Sequence, residues 1–499
     1  MRVERLLGIV LAGALLAVPA LSATCEELKS LSLPKVTILS AEEVAPTEKS
    51  PAYCAMKLAA TPMPDSDIRI ELWLPPAASW NGKFLGTGNG GYSGALSYPE
   101  MRNALQRGYA TAGSNTGHEG GDLRFGVGHE EKIRDWAYRA VHVMTETAKE
   151  VVRRYYARPA AHSYFTGCST GGHQALMEAQ RFPADYDGII AGDPGNNRIR
   201  LNAGFLWSWL AANKDPADPL PAAKLPMLNR AVVEACDALD GVKDGIIGDP
   251  RRCRFDPASL LCRDGQDAPD CLTSPEVAAV RAIYDGARHP RTGERIFAGW
   301  AKGSESLAGR GGWTGYFVGQ PEPARSDFWR LWVFGKPEWN PRTFDFDRDV
   351  TAATAKLGFI DATATDLRAF RANKGKLLMY HGWADPVVPP EDGIRYYENV
   401  AEAMGAGSTQ IGSFFRLFMV PGMGHCGGGP GPNSFDALSA LDTWVTDGRA
   451  PQRILASHTT NGKIDRTRPL CPYPQVAQWT GSGSTDEAAN FVCKVPAEP

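Results

Sequence analysis

The sequence predicts an α/β fold, and three observations lead to that prediction. A short β-prone run, 163–166, passes through a G-x-S-x-G turn into a stretch of helix-favouring residues, 172–182. Two later runs of buried-strand type, 376–386 and 414–420, are each associated with a loop that carries an ionisable side chain. Between the turn and these runs, residues 196–366 lose the clear alternation of strands and helices. This order predicts an α/β-hydrolase core with a large inserted lid domain.

The turn Gly167-Cys168-Ser169-Thr170-Gly171 supplies the candidate nucleophile. In this pattern the flanking glycines allow a strand-to-helix turn so sharp that the serine hydroxyl stands exposed above the sheet. The alternative interpretation is an ordinary glycine turn after a buried strand. Upstream, a strand beginning at Lys83 runs into a glycine-rich loop that ends near Gly94, where the fold supplies an oxyanion-hole N–H. A plain turn is the alternative there, and a phosphate-binding loop is disfavoured because no G-x-x-x-x-G-K-[ST] follows.

The candidate base and acid each follow a predicted strand, where the loops of a parallel sheet meet. Ser169, Asp385 and His425 come in the chain order that this fold predicts for nucleophile, acid and base. His381 opens the same face and is predicted to line the substrate pocket. Asp193, after the strand that begins near Tyr186, is the second candidate for the acid. For His425, the alternative is a histidine without a role in a glycine-rich loop.

Net charge and the N-terminal residues limit the classes of protein to which this sequence can belong. The 499 residues include 53 basic and 56 acidic side chains, a net charge of -3, which argues against a nucleic-acid partner and for a small-molecule or neutral polymer substrate. Residues 1–23 have a charged start, an apolar run and small residues near their end, and are predicted to be a signal peptide. A membrane anchor is disfavoured because the run is short. We therefore expect a secreted or periplasmic protein with a catalytic domain, 24–195 and 367–499, interrupted by a lid, 196–366.

Ten cysteines remain after the predicted signal peptide, and in an oxidising compartment an even number favours five disulfides. Proximity in the sequence, which is a weak guide to connectivity, pairs Cys25 with Cys54, Cys236 with Cys253, Cys262 with Cys271, and Cys471 with Cys493. Cys168 and Cys426 are then left over, one beside the candidate nucleophile and the other beside the candidate base.

An acidic loop follows Cys236 within the predicted lid. Asp237, Asp240 and Asp244, separated by turn-forming glycines, could converge on one hard cation, and calcium accepts several oxygens in flexible geometry. The spacing differs from that of an EF-hand, which carries a glutamate at position twelve. A solvated Asp-Gly turn is the alternative.

The sequence as a whole resembles the tannase and feruloyl esterase family of secreted α/β-hydrolases. Cys168-Ser169, Asp385 and His425-Cys426 match the family's arrangement, in which a disulfide joins the neighbours of the nucleophile and the histidine. The resemblance covers about 25–493 and implies all five disulfides. It also implies a lid Ca²⁺ and two oxyanion N–H donors. The residues implied are Asp237, Asp240, Asp244 and the carbonyls of Val242 and Ile246 for calcium, and Thr170 and Gly91 for the oxyanion.

The resemblance implies a serine esterase acting on esters of aromatic acids such as ferulate or gallate. A terephthalate monoester hydrolase of the same family is an alternative, for which a lid arginine would bind the free carboxylate. Arg325 and Arg330 are the candidates for that arginine, whereas the small Val388 stands where an aromatic ring would be expected to clamp the substrate. A catalytically silent binding protein for phenolics or glycans, and an exported peptidase or acyltransferase, also stay open.

Overall fold

The computed structural model describes residues 22–307, 312–405 and 408–496, so the predicted signal peptide lies almost wholly outside the described residues. Nine strands form the main sheet, in the spatial order β1-β2-β3-β5-β4-β6-β7-β8-β9. In chain order the strands are β1 (Val36–Val44), β2 (Tyr53–Ala60), β3 (Ile68–Leu74), β4 (Lys83–Thr87), β5 (Ala110–Ser114), β6 (His162–Cys168), β7 (Gly188–Gly192), β8 (Lys376–Gly382), β9 (Phe415–Val420), β10 (Ser434–Phe435), β11 (Ile454–Thr460), β12 (Lys463–Leu470), β13 (Val476–Trp479) and β14 (Phe491–Lys494).

The main sheet is mixed, with an antiparallel edge and a parallel centre. β1, β2, β3 and β5 pair antiparallel, and the pairs from β5 through β4, β6, β7 and β8 to β9 are parallel. Parallel neighbours need crossover connections, and these bring helices onto both faces of the sheet. All five residues of β7 are buried, as expected for a strand covered on both sides. The α/β fold predicted from the sequence is confirmed.

The helices that cover the sheet belong to two layers. Phe84 and Phe165 pack into the cluster formed with α3, α4 and α10, whereas their neighbours Leu85 and Tyr164 pack on the opposite face with α1 and α12. The α-helices are α1 (Tyr98–Gln106), α2 (Glu130–Arg134), α3 (Ala140–Tyr155), α4 (Thr170–Arg181), α5 (Arg198–Ala212), α6 (Leu225–Cys236), α7 (Ser274–Asp285), α8 (Arg348–Leu357), α9 (Arg368–Ala372), α10 (Pro390–Ala403), α11 (Ser408–Ile411) and α12 (Ala437–Asp447).

The long connection between β7 and β8, called the insertion below, contains α5 to α9 and most of the tryptophans. Trp300, Trp313 and Trp329 are almost completely buried and pack in one cluster with residues of α5 and α7. The rings therefore fill the interior of the insertion. Val387 and Val388 join the same cluster, so the insertion shares its hydrophobic core with the loop that follows β8.

The C-terminal part adds a small sheet, β10-β11-β12, and the hairpin β13-β14. A disulfide between Cys471 and Cys493 links the end of β12 to β14. The four pairs predicted from proximity and the fifth, Cys168–Cys426, which the resemblance implies, are all present, and the predicted disulfides are confirmed. Within the described residues, none of the helices has the length and apolar character needed to cross a bilayer.

Candidate active site

Ser169 occupies a strained turn between β6 and α4. Its φ of 63° and ψ of -115° lie in a region that non-glycine residues rarely adopt. A Cβ atom on Gly167 would lie 2.6 Å from the backbone of Gly171, and one on Gly172 would lie 2.3 Å from the carbonyl oxygen of Gly192. A Cβ atom on Gly171, the second glycine of the motif, would lie 3.2 Å from the carbonyl oxygen of Asn89, so glycine is favoured at these positions because the turn brings backbone against backbone. The turn predicted from G-x-S-x-G is the one observed.

Asp385 and His425 are joined by a hydrogen bond. Nδ1 of His425 lies 2.7 Å from Oδ2 of Asp385, so Nδ1–H donates to the carboxylate and Nε2 keeps its lone pair. The other oxygen, Oδ1, accepts the N–H groups of Val387 and Val388 at 2.7 and 2.9 Å. Burial opposes ionisation of Asp385, but the nearby His425 and His381 outweigh it and lower the pKa of this carboxyl. Asp385 is therefore held as a carboxylate that fixes the imidazole.

His381 is fully buried and does not line the cavity that contains Ser169. Its Nε2–H donates to the carbonyl of Val388 at 3.0 Å and lies 3.5 Å from Oδ2 of Asp385. The prediction that His381 lines the substrate pocket is wrong, because the side chain packs against the loop that carries Asp385 and not at the cavity. From that position it supports the loop that carries Asp385.

Asp193, the second candidate acid, joins two loops. Oδ1 accepts the N–H of Gly382 at 2.7 Å, and Oδ2 accepts the N–H of Cys426 at 3.1 Å. Burial raises the pKa of this carboxyl to about 6. Both of its oxygens are engaged by backbone, whereas Asp385 contacts the imidazole directly. The geometry thus favours Asp385 as the partner of His425.

The disulfide Cys168–Cys426 connects the turn after β6 to the loop after β9, with 5.9 Å between the two Cα atoms. Ser169 and His425 are the immediate neighbours of the two bridged cysteines. The covalent link therefore holds the candidate nucleophile and the candidate base on one side of the sheet.

The glycine-rich loop after β4 faces the turn. Gly91 has a φ of 57°, and a Cβ atom there would meet nothing within 4 Å, so its backbone is open to the cavity. The hydroxyl of Thr170 donates to the carbonyl of Gly91 at 2.7 Å. The side chain of Gln174 accepts the N–H of Asn89 at 3.0 Å. These bonds hold the loop against the start of α4, where the resemblance places the two oxyanion donors.

Ser169 and His425 line one cavity of about 630 Å³. Its walls come from the glycine-rich loop and α1 on one side and from the insertion on the other. The lining includes Glu100, Tyr316, Arg325, Tyr380 and Val387. The guanidinium of Arg325 lies 5.2 Å from the ring of Phe205, and its Nη1 is buried without a hydrogen-bond partner among the described residues. The cavity therefore combines aromatic rings with an incompletely bonded cation.

Arg330 differs from Arg325 in its surroundings. It forms ion pairs with Glu322 at 2.8 Å and with Asp327 at 3.5 Å. It does not line the cavity that contains Ser169. Of the two arginines that the sequence offered as carboxylate ligands, only Arg325 faces the candidate active site.

The acidic loop of the insertion is ordered by its own carboxylates. Asp237 accepts the N–H groups of Asp244 and Gly245 at 3.0 Å each, and Asp244 is paired with Arg468. Asp240 and Asp244 line a second, smaller cavity together with Val242 and Ile246. The carboxylates of Asp240 and Asp244 are oxygen ligands of the type that Ca²⁺ prefers and so fit the cation by type, whereas Asp237 does not line this cavity.

Comparison with known proteins shows the family to which the chain belongs. The model of the family described as tannase and feruloyl esterase matches residues 56–494. The chain belongs to this family. Its relatives include an uncharacterized esterase of Xanthomonas campestris pv. campestris, 40% identical over 96% of this chain and 93% of the relative. The mono(2-hydroxyethyl) terephthalate hydrolase of Piscinibacter sakaiensis is 34% identical over 86% of this chain and 82% of that enzyme.

A crystal structure of feruloyl esterase B from Aspergillus oryzae superposes with a TM-score of 0.87 at 29% identity, covering 94% of this chain and 99% of that chain. The tannase and feruloyl esterase fold therefore extends over nearly the whole chain.

Sequence reasoning missed Arg198, a buried arginine that contacts Thr170. The signal was present as an arginine in the first turn of α5, a helix in which most of the other residues are apolar.

The disulfide beside the active site gives a first prediction. Replacing Cys168 and Cys426 together by serine should lower the melting temperature and reduce kcat at least tenfold, because the loops after β6 and β9 lose their covalent link. The bridge closes a long loop and should contribute about 3 to 5 kcal/mol through chain entropy. Thermal unfolding and ester hydrolysis measure the two effects.

The matched control is the double serine variant of Cys262 and Cys271, a bridge within the insertion with a sequence separation of only 9. We expect this control to retain kcat. Equal losses of kcat in the two variants would contradict a specific role for the bridge beside Ser169.

Proposed function

We propose that the protein is a serine esterase that hydrolyses esters of aromatic acids. The observation that carries the proposal is that Ser169 and His425 line one cavity and that His425 is hydrogen-bonded to Asp385. The chain also belongs to the tannase and feruloyl esterase family. The family is described as tannase and feruloyl esterase and several relatives are named as feruloyl esterases, and we propose ferulate, related hydroxycinnamates and gallate as the acyl groups. The aromatic and polar walls of the cavity suit such rings.

The geometry supports a two-step acyl transfer. Nε2 of His425 takes the proton from the Ser169 hydroxyl as Oγ attacks the ester carbonyl carbon, and Asp385 stabilises the imidazolium that forms. The negative oxygen of the tetrahedral intermediate accepts hydrogen bonds from the backbone N–H groups of Thr170 and Gly91. The alcohol leaves with the proton from His425, and an acyl-serine remains. Water then loses a proton to His425 and attacks the acyl carbon, which releases the aromatic acid and restores Ser169.

Five disulfides support a secreted or periplasmic location for this enzyme, since disulfides persist in oxidising compartments. The balanced net charge gives no reason to propose a nucleic-acid partner. A small aromatic ester is the partner that the cavity suits.

The nucleophile is tested by Ser169→Ala. We expect kcat for methyl ferulate and methyl gallate to fall by at least about 10³-fold, because the acyl-enzyme cannot form. Circular dichroism and the melting temperature should stay close to those of the unaltered protein. Full activity in the folded variant would exclude the proposed mechanism, and an unaltered protein inactive on every aryl-acid ester would favour a silent binding protein.

A second candidate function is favoured by Arg325. Its incompletely bonded guanidinium at the cavity could bind a free carboxylate on the acyl ring, as in a terephthalate monoester. One of the relatives is named as a hydrolase of such an ester. The opposing observation is Val388, which is buried in the core of the insertion and offers the substrate no ring.

The choice between the two substrates is tested by Arg325→Gln. If a carboxylate binds there, kcat/KM for a terephthalate monoester should fall about 10- to 100-fold, as expected for loss of a charge-assisted hydrogen bond. The value for methyl ferulate, which has no second carboxylate, should change less than about threefold. Arg330→Gln, which alters a paired arginine outside the cavity, is the matched control and should leave both values unchanged. Equal losses for both esters would contradict carboxylate recognition.

We also propose that the acidic loop of the insertion binds calcium through Asp237, Asp240, Asp244 and the carbonyls of Val242 and Ile246. The cation would order the loop, and it has no part in the chemistry at Ser169. The support is the oxygen chemistry of these residues and the position of Asp240, Val242, Asp244 and Ile246 on one small cavity, next to Asp237 in the same loop.

Metal removal tests the calcium site. Chelation followed by dialysis should lower the melting temperature by several degrees, because a ligand bound only to the folded state stabilises it, and added Ca²⁺ should restore it. Elemental analysis should find one calcium per chain before chelation and none in Asp240→Asn. The exposed Asp256→Asn is the control. An unchanged melting temperature with no bound metal would contradict the proposal.

A further inference from the structure

Arg198, at the start of α5, is a completely buried cation with few partners. Its Nη2 donates to the Thr170 hydroxyl at 2.9 Å, whereas Nε and Nη1 have no hydrogen-bond partner within the described ranges. None of the carboxylates in those ranges forms an ion pair with it. The guanidinium carbon lies 5.7 Å from the ring of Tyr92 and 5.5 Å from that of Trp136. Burying a charge without an anionic partner is costly, so this arrangement calls for a function.

The bond from Arg198 fixes the direction of the next bond. A guanidinium can only donate, so the Thr170 hydroxyl must accept from it. The single hydroxyl proton is then directed to the carbonyl of Gly91, which lies 2.7 Å away. The result is a chain of two hydrogen bonds, in which Arg198 donates to Thr170 and Thr170 donates to the carbonyl of Gly91. Without the arginine, the Thr170 hydroxyl is free to rotate. The carbonyl of Gly91 then loses a donor that is held in a fixed direction.

Thr170 and Gly91, the two residues that follow Arg198 in this chain of hydrogen bonds, also supply the backbone N–H groups assigned above to the oxyanion. We propose that Arg198 is a positioning residue for the oxyanion site, orienting Thr170 and through it Gly91, and adding positive potential behind the developing negative charge. This role rests on the proposed esterase function. Preorganised donors in a site shielded from water act mainly on the transition state, so the effect belongs to kcat.

Kinetics of Arg198→Met and Arg198→Lys test this role. Arg198→Met should lower kcat about 10- to 100-fold with KM changed less than about threefold, because the oxyanion forms only during reaction. Arg198→Lys keeps the charge and one donor and should recover part of the loss. Phenylboronic acid, whose tetrahedral adduct with Ser169 is anionic, should bind to Arg198→Met more weakly by a factor similar to the loss in kcat.

Variants of Thr170 separate positioning from a general structural role. Thr170→Val removes the hydroxyl relay and should reproduce the loss in kcat, whereas Thr170→Ser keeps a hydroxyl at this position and should lose less kcat than Thr170→Val. In the double variant Thr170→Val with Arg198→Met, the loss should be smaller than the product of the two single losses, because the residues act through one chain.

Several outcomes would overturn the role of Arg198. One is a folded Arg198→Met that keeps kcat and boronate affinity, and another is a rise in KM alone. If Arg198→Met fails to fold, a Thr170→Val variant with unchanged kcat has the same consequence. Inactivity of the unaltered protein on every ester would overturn the proposed function and this role together, whereas full activity in Arg198→Met overturns this role alone.

Discussion

The candidate site depends on one constraint, which is that the loops after β6, β8 and β9 must be held together. A covalent bond, Cys168–Cys426, joins the first to the third. The buried carboxylate of Asp193 joins the second to the third by accepting the N–H groups of Gly382 and Cys426. Loops are ordinarily the most mobile parts of a fold. Here a disulfide and a buried carboxylate give three loops the rigidity that a Ser-Asp-His arrangement needs.

The insertion also stabilises the loop that carries Asp385. Trp300 is almost completely buried in its core, and the indole N–H donates to the carbonyl of Pro386 at 2.8 Å, next to Asp385. Val387 lies in the same hydrophobic cluster and also lines the cavity. The core of the insertion and the position of the acid are therefore coupled. Most tryptophans of the insertion act in this way, through packing, and the cavity receives a smaller set of side chains from it, among them Arg325.

Two buried charges beside the site have different consequences. The carboxylate of Asp193 is compensated by backbone N–H groups, so its charge stabilises loops. The guanidinium of Arg198 has a hydroxyl and two aromatic rings around it, and in the proposed role its positive charge stabilises the developing oxyanion. Such groups are typical of functional sites, where local stability is given up for electrostatic preorganisation.

The sequence by itself determined the α/β core, the turn at Ser169, the order of acid and base, and the four disulfide pairs that lie close together in the chain. These features are local, because a turn that lets backbone approach backbone needs glycine, and parallel strands end where their loops meet. The direction of side chains packed between elements was decided only by the tertiary structure. His381 was expected at the pocket and is turned behind Asp385, since one residue along a strand reverses the face. Arg198 and Arg325 acquire their positions from helix and loop packing across distant parts of the chain, which no spacing in the sequence encodes.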